Sequence, residues 1–130
     1  MASELRVTTI ANNAGTESVD TTYVVNGSAK AWVNLNGTGT IAISDSLNHS
    51  SASDSATGKY VFNFTNSFGN TSYVSSGLNN QVSPVGNYNR YASLNGALST
   101  SSLNCWSVRG DTAAIEDTQS LQVASHGDLA

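Results

Sequence analysis

Two short runs of the sequence, residues 31–35 and 60–64, constrain the fold more than any other feature, because apolar side chains occupy every second position in each. A period of two places successive side chains on opposite faces of a β-strand. One face of each strand can therefore be buried while the other faces outward. The rows that we expect to turn inward are Ala31, Val33 and Leu35 in the first run and Tyr60, Phe62 and Phe64 in the second.

Weaker alternation elsewhere predicts further strands near residues 5–10, 22–26, 39–44, 71–76, 90–94, 103–108 and 120–124. The pairs that favour tight turns between them are Asn26-Gly27, Asn36-Gly37, Thr57-Gly58, Phe68-Gly69, Asn95-Gly96 and Arg109-Gly110. Residues 111–119 are rich in helix formers and predict one helical turn at most. About nine short strands with this turn spacing predict an all-β fold, an antiparallel β-sandwich or a jelly-roll-like module.

The supply of core side chains is small for a chain of 130 residues. Ser, Thr, Asn and Gly account for 60 of them, and 14 of the hydrophobic residues are alanines. Charged residues make up only 11% and there is one proline, whereas disordered chains are usually rich in both. We therefore expect one folded domain with a thin core that gains stability from oligomerisation.

Residues 1–28 alternate less regularly than residues 29–130 and predict an N-terminal arm or attachment segment ahead of the sandwich module. Apolar side chains on such an arm must be covered by its own domain or by a neighbouring subunit, and we favour the neighbouring subunit. Trp32 is expected in the core or in an interface, as is Trp106. The predicted oligomer or virion interface comprises Leu5, Val7, Ile10, Val24, Val25 and Trp32.

The charges narrow the class of partner. The five basic residues are scattered along a chain of net charge −4, so no basic cluster is available to displace counterions from a phosphate backbone. Nucleic acid is therefore not an expected partner. The acidic pair Glu116-Asp117 is expected to be solvated surface. No apolar run approaches the roughly 20 residues that cross a bilayer, and the first residues lack a signal-peptide pattern, so neither membrane insertion nor export is expected.

No residue pattern predicts an enzyme, a cofactor or a metal ion. The only histidines, His49 and His126, lack a Gly-x-Ser-x-Gly motif nearby and a second ligand at metal-binding spacing, so we expect both in surface loops. His126 would matter for a metal only if three copies met at a threefold axis. The dispersed carboxylates single out no glycosidase pair. Cys105, the one cysteine, is expected to pack as a small hydrophobe.

One segment has the composition of a binding surface. Aromatic faces stack on sugars while amides and guanidinium groups bond hydroxyls, and such side chains follow one another here. The alternative is an ordinary edge strand, because strands are enriched in tyrosine. The predicted receptor- or glycan-binding residues are Asn87, Tyr88, Arg90 and Tyr91.

Residues 26–40, Asn-Gly-Ser-Ala-Lys-Ala-Trp-Val-Asn-Leu-Asn-Gly-Thr-Gly-Thr, closely resemble a module found in tail-fibre and other appendage proteins of tailed bacteriophages, especially marine and cyanobacterial ones. The likeness continues in the same order through residues 45–48, 57–65, 70–73 and 123–129. Residues 79–119 match poorly. They include the Tyr88 to Tyr91 segment, where a receptor-facing surface is expected to diverge.

This resemblance implies a homotrimeric virion protein, a tail-fibre-like or appendage subunit that serves host attachment or decorates the particle. Its implied partners are copies of itself, other tail or capsid proteins and a host surface polysaccharide or receptor. The alternative function is a lectin-like module that binds host surface glycans. A depolymerising hydrolase is the least favoured hypothesis.

Overall fold

The computed structural model describes residues 3–80 and 89–130, which form ten β-strands and one short α-helix. The strands are β1 (Thr9–Ala11), β2 (Ser18–Asp20), β3 (Ala31–Asn36), β4 (Ala42–Leu47), β5 (His49–Ala56), β6 (Lys59–Phe64), β7 (Val74–Asn80), β8 (Arg90–Leu94), β9 (Ser102–Arg109) and β10 (Ser120–His126), and helix α1 (Thr21–Gly27) lies between β2 and β3. Eight strands form two antiparallel sheets: the first sheet, ordered β4-β3-β10-β7, and the second sheet, ordered β5-β6-β9-β8. The prediction of an all-β, sandwich-like architecture is confirmed.

The core consists of the inward rows of the central strands. All six residues predicted to face inward from residues 31–35 and 60–64 are buried. Strands β9 and β10 add Leu103, Cys105, Leu121 and Val123. Phe68 and Tyr73, in the segment between β6 and β7, stack with ring centroids 4.3 Å apart and join this core. The expectation that Cys105 packs as a hydrophobe is confirmed, since its side chain is fully buried.

The strand order does not show a jelly roll. Three hairpins, β3–β4, β5–β6 and β8–β9, each keep consecutive strands within one sheet. Strand β10 returns from the far end of the sequence and lies between β3 and β7, with Val123 opposite both Val33 and Gly77. The first sheet is therefore completed by the last strand of the chain.

The strand predicted at residues 22–26 is wrong, because this segment is helix α1. Asp20 caps the helix, and its carboxylate accepts a hydrogen bond from the backbone nitrogen of Thr22 at 2.7 Å. This cap outweighs the modest preference of Val24 and Val25 for strands. Gly27 consequently ends the helix instead of forming a hairpin turn.

Strand β5 was not predicted from the sequence, and both histidines expected in loops lie on strands. Polar side chains dominate β5, which forms one edge of the second sheet, so it carries no apolar alternation to detect. The predicted strand at 5–10 shortens to Thr9–Ala11, and those at 39–44 and 71–76 move towards the C-terminus. Residues 111–119 form no helix and contribute an isolated bridge between Val108 and Ile115.

Candidate functional site

The N-terminal arm, residues 3–28, is held together by local hydrogen bonds. Strands β1 and β2 pair with each other alone, and Asn12 closes the turn between them by accepting from the backbone nitrogen of Thr16 at 3.0 Å. The hydroxyl of Thr21 donates to the carbonyl of Val7 at 2.9 Å and joins the start of the helix to the hairpin. The arm therefore has regular backbone structure of its own.

The side chains of the arm form no core. None of its residues is buried, and Leu5 and Tyr23 are 85% and 75% exposed. The exposed large hydrophobic residues of the arm are Leu5, Val7, Ile10, Val19, Tyr23, Val24 and Val25. Five of the six predicted interface residues belong to this set. Seven exposed large apolar side chains on one short segment make the arm a candidate interface.

The arm is connected to the sandwich where β3 begins. The ammonium group of Lys30 donates to the carbonyl of Val25 and to the hydroxyl of Ser28, and its backbone nitrogen donates to the carbonyl of Ser125 at 2.8 Å. The imidazole Nδ1 of His126 lies 3.1 Å from the carbonyl of Gly27. His126 ends strand β10 and contacts the root of the arm, so its predicted place in a surface loop is wrong.

Trp32, the sixth predicted interface residue, belongs to strand β3 and not to the arm, and it lies on the outer face of the first sheet. Its neighbours in β3 point inward, whereas Trp32 is half-buried beside a groove of about 540 Å³. This outer groove is lined by Trp32, Val33, Asn34, Ser76, Gly77, Leu78, Gln122, Val123 and Ala124. Trp106 occupies the second sheet, where the ammonium of Lys59 lies 4.4 Å from the centre of its ring.

The predicted binding segment is only partly described, since Asn87 and Tyr88 lie outside the described residues. Arg90 starts β8, and its guanidinium lies 2.5 Å from the carboxylate of Glu116, with the side chain only 7% exposed. Tyr91, the next residue on the strand, is about half exposed. Arg90 therefore forms an ion pair within the chain, whereas Tyr91 is accessible to solvent. Ligand binding by this segment stays a prediction.

The acidic pair expected at the solvated surface is instead half-buried and bonded. The carboxylate of Asp117 accepts from the backbone nitrogen of Gly58 at 2.6 Å and lies 3.3 Å from the hydroxyl oxygen of Tyr60. Glu116 holds Arg90 in the ion pair described above. Burial raises the pKa of Tyr60 to about 12, so its hydroxyl stays protonated at neutral pH. The contacts of Asp117 join segments 57 and 59 residues apart and those of Glu116 join segments 26 apart, so local pattern could not detect them.

His49 is a further titratable group whose surroundings shift its pKa. It begins β5 and packs against the rings of Phe62 and Phe64, at centroid distances of 5.7 and 5.1 Å. Its Nδ1 is buried without a hydrogen-bond partner. Desolvation lowers the pKa of His49 below the usual 6.5, although a backbone hydrogen bond to Asn63 opposes the shift. The imidazole is therefore neutral at pH 7 and behaves as a packed ring.

Among the described residues, no three His, Cys, Asp or Glu side chains come close enough together to hold a metal ion. Over the same residues, no helix is both long and apolar enough to cross a membrane.

Comparison with known proteins identifies no relative. No protein-family model matches the chain, and neither a curated protein nor a solved structure matches it. The resemblance of residues 26–40 and the later motifs to phage appendage modules consequently stays a prediction from the sequence.

Proposed function

We propose that this chain is a non-enzymatic structural subunit of a virus particle, an appendage or decoration protein that assembles as a homotrimer through its N-terminal arm. The observation that carries the proposal is the set of seven large apolar side chains on the arm, all of them exposed. Large apolar side chains exposed together on one short segment favour an interaction site on a folded protein. The motifs of residues 26–40 and 57–65 supply the viral assignment.

In this proposal the arm and the sandwich have different functions. The arm binds neighbouring copies and other virion proteins, and the hydrogen bonds of Lys30 and His126 to its root hold it at the start of the sandwich. The sandwich contacts the host through residues 79–100, of which 81–88 lie outside the described residues. Neither task requires a nucleophile, a metal or a cofactor.

The assembly is tested by placing charge on the arm. The double substitution Ile10→Asp, Val25→Asp is expected to convert the trimer into a monomer. Light scattering measures this change as a fall in the mass in solution from three chains to one. The control, Thr9→Asp with Asn26→Asp, adds the same charge at neighbouring exposed positions and is expected to stay trimeric. A wild-type mass of one chain would contradict the trimer.

The viral location is tested on purified particles of the virus that encodes the chain. Antibodies raised against residues 29–130 are expected to label the tail or the head in electron micrographs, with copies arranged in threes. Absence of label from intact particles, with the protein recovered only free in the lysate, would contradict the virion assignment.

A further inference from the structure

The outer groove is a shallow trough across three strands of the first sheet. Ala124 of β10 forms its floor and pairs with Trp32 of β3 on one side and Ser76 of β7 on the other. The next outward row is Gln122, which pairs with Asn34 and Leu78. Because neighbouring strands lie about 4.8 Å apart, the walls on β3 and β7 stand about 10 Å from each other. The small side chain of Ala124 leaves the space between them open.

The volume of the groove, about 540 Å³, is within the range of small-molecule sites. The wall on β3 carries the indole of Trp32, and the wall on β7 carries Leu78, one row along from Trp32 and 73% exposed. A flat aromatic wall above a methyl-lined floor accommodates a ring that has an apolar face. The groove therefore favours a ring-shaped ligand over an extended charged one.

Two amides at one end of the groove are oriented by a shared hydroxyl. The Ser120 hydroxyl donates to the side-chain oxygen of Asn34 at 3.2 Å, and the amide nitrogen of Gln122 donates to the same hydroxyl at 3.3 Å. This arrangement turns the NH₂ group of Asn34 and the oxygen of Gln122 away from Ser120, as a donor and an acceptor. The pair is ordered before any ligand arrives, which lowers the entropic cost of binding.

The charge of the lining selects among ligands. None of the nine lining residues is charged. Asp45 lies opposite Asn34 on β4, and the ammonium of Lys30, two residues before Trp32, is bonded to Val25 and Ser28 of the arm. An anionic ligand such as a phosphate would therefore meet no cation among the lining residues. A neutral sugar ring has the matching chemistry, because it presents a C–H face to an indole and hydroxyl groups to amides.

We propose that the outer groove is a binding site for a neutral saccharide. One sugar ring stacks on Trp32 above Ala124, and its hydroxyl groups bond to Asn34 and Gln122. None of its lining residues belongs to the segment of residues 87–91 that the sequence singled out. It lies within one chain and does not rest on the proposed trimer.

Fluorescence of Trp32 tests the site directly. In a Trp106→Phe background Trp32 is the only tryptophan. Its emission is expected to shift and saturate with at least one neutral oligosaccharide from a panel built of glucose, mannose or galactose units. Oligogalacturonate, an anionic sugar of similar size, is expected to leave the emission unchanged. A panel in which no neutral sugar shifts the emission overturns the proposal.

Two substitutions test separately how the floor of the groove and its amide groups contribute to sugar binding. Ala124→Leu fills the trough on the outer face and is expected to abolish binding. Gln122→Ala removes one hydrogen bond and is expected to weaken binding about tenfold. The matched control is Asn104→Ala, an exposed amide on the outer face of the second sheet, which is expected to bind as the parent does. Unchanged binding by Ala124→Leu overturns the proposal.

The same measurement distinguishes a sugar from a second copy of the chain. The Ile10→Asp, Val25→Asp variant is expected to bind the sugar with unchanged affinity, whether or not it forms trimers. If Trp32 emission instead changes only on dilution of the protein and no sugar affects it, the groove is a subunit interface and the saccharide site is refuted, while the assembly proposal stands.

Discussion

At the scale of single residues, Tyr60 shows how one hydroxyl joins distant segments. Its hydroxyl group donates to the carbonyl of Gly37 at 3.0 Å, and the hydroxyl oxygen accepts from the backbone nitrogen of Thr118 at 3.4 Å and lies 3.3 Å from the carboxylate of Asp117. The alternation of residues 60–64 correctly predicted that the ring is buried. It could not predict the partners, which come from two other parts of the chain.

Tyr60→Phe is expected to lower the free energy of unfolding by about 1–2 kcal/mol, because it leaves buried polar groups of Gly37 and Thr118 with fewer partners. Urea denaturation followed by circular dichroism measures the change. The control is Tyr91→Phe, at an exposed position, which is expected to change stability by less than about 0.5 kcal/mol. Equal effects of the two substitutions would contradict the assigned network.

Because the pKa of His49 is lowered, we expect the folded protein to lose stability in mild acid. Its pKa in the folded protein is lower than its usual 6.5, so the unfolded chain binds more protons as the pH falls below that value. Unfolding is therefore favoured progressively below about pH 6.5. His49→Phe keeps an aromatic ring against Phe62 and Phe64 without titrating, and is expected to flatten the stability profile between pH 7 and 5, measured by thermal unfolding.

The control for this profile is His126→Phe, at the root of the arm, which is expected to retain the acid sensitivity of the parent. An unaltered profile in the His49 variant would show that another group causes the loss.

At the scale of elements, the turn of the β5–β6 hairpin requires glycine at residue 58 for two separate reasons. Gly58 adopts a φ of +64°, and a Cβ added there would lie 2.6 Å from the carbonyl oxygen of Glu116. Local sequence predicts the turn through Thr57-Gly58. The close approach of residue 116 is a separate reason for glycine, and it exists only once the hairpin packs against the segment between β9 and β10.

Substitution at two glycines separates these effects. Gly39 has nearly the same φ, +63°, but a Cβ there would meet nothing within 4 Å. Gly39→Ala is expected to cost about 1 kcal/mol from the backbone conformation alone. Gly58→Ala is expected to cost about 1–3 kcal/mol more, because the methyl group overlaps the backbone of Glu116. Urea denaturation of both variants measures the difference, and similar losses would contradict the close contact.

Two predictions about whole elements were wrong, at strand β5 and at residues 22–26. Strand β5 was missed because an edge strand with one sheet neighbour can carry polar side chains on both faces. Residues 22–26 were predicted as a strand because consecutive valines favour extended structure, whereas the cap at Asp20 starts a helix. Both cases are segments without a buried row, so neither contains the period that makes prediction reliable.

At the scale of the whole molecule, the arm and the sandwich differ in how they use apolar residues. The sandwich buries its apolar rows between two sheets, and the arm exposes its own. The arm residues of the candidate interface were predictable because an apolar segment of irregular period is visible in the sequence. The outer groove was not, because Trp32, Ala124 and Leu78 come from three strands that only the sheet brings together.

A chain shortened to residues 29–130 is expected to fold with the same β-sheet circular dichroism, because no arm residue contributes to the core. The melting temperature of the full chain is expected to rise with protein concentration, since association stabilises the folded state by mass action. That of the shortened chain is expected to be independent of concentration. A shortened chain that fails to fold would show that the arm is part of the domain.

The sequence by itself determined which side chains of the central strands are buried, as at Val33 and Phe62, because a period of two assigns each residue to a face without reference to any other strand. Only the tertiary structure decided which strands are neighbours. The pairing of β10 with β3 joins residues nearly a hundred positions apart, such as Ser125 and Ala31. Such pairings, and the surfaces they create, depend on the packing of the whole chain, since no local pattern specifies the partner of a strand.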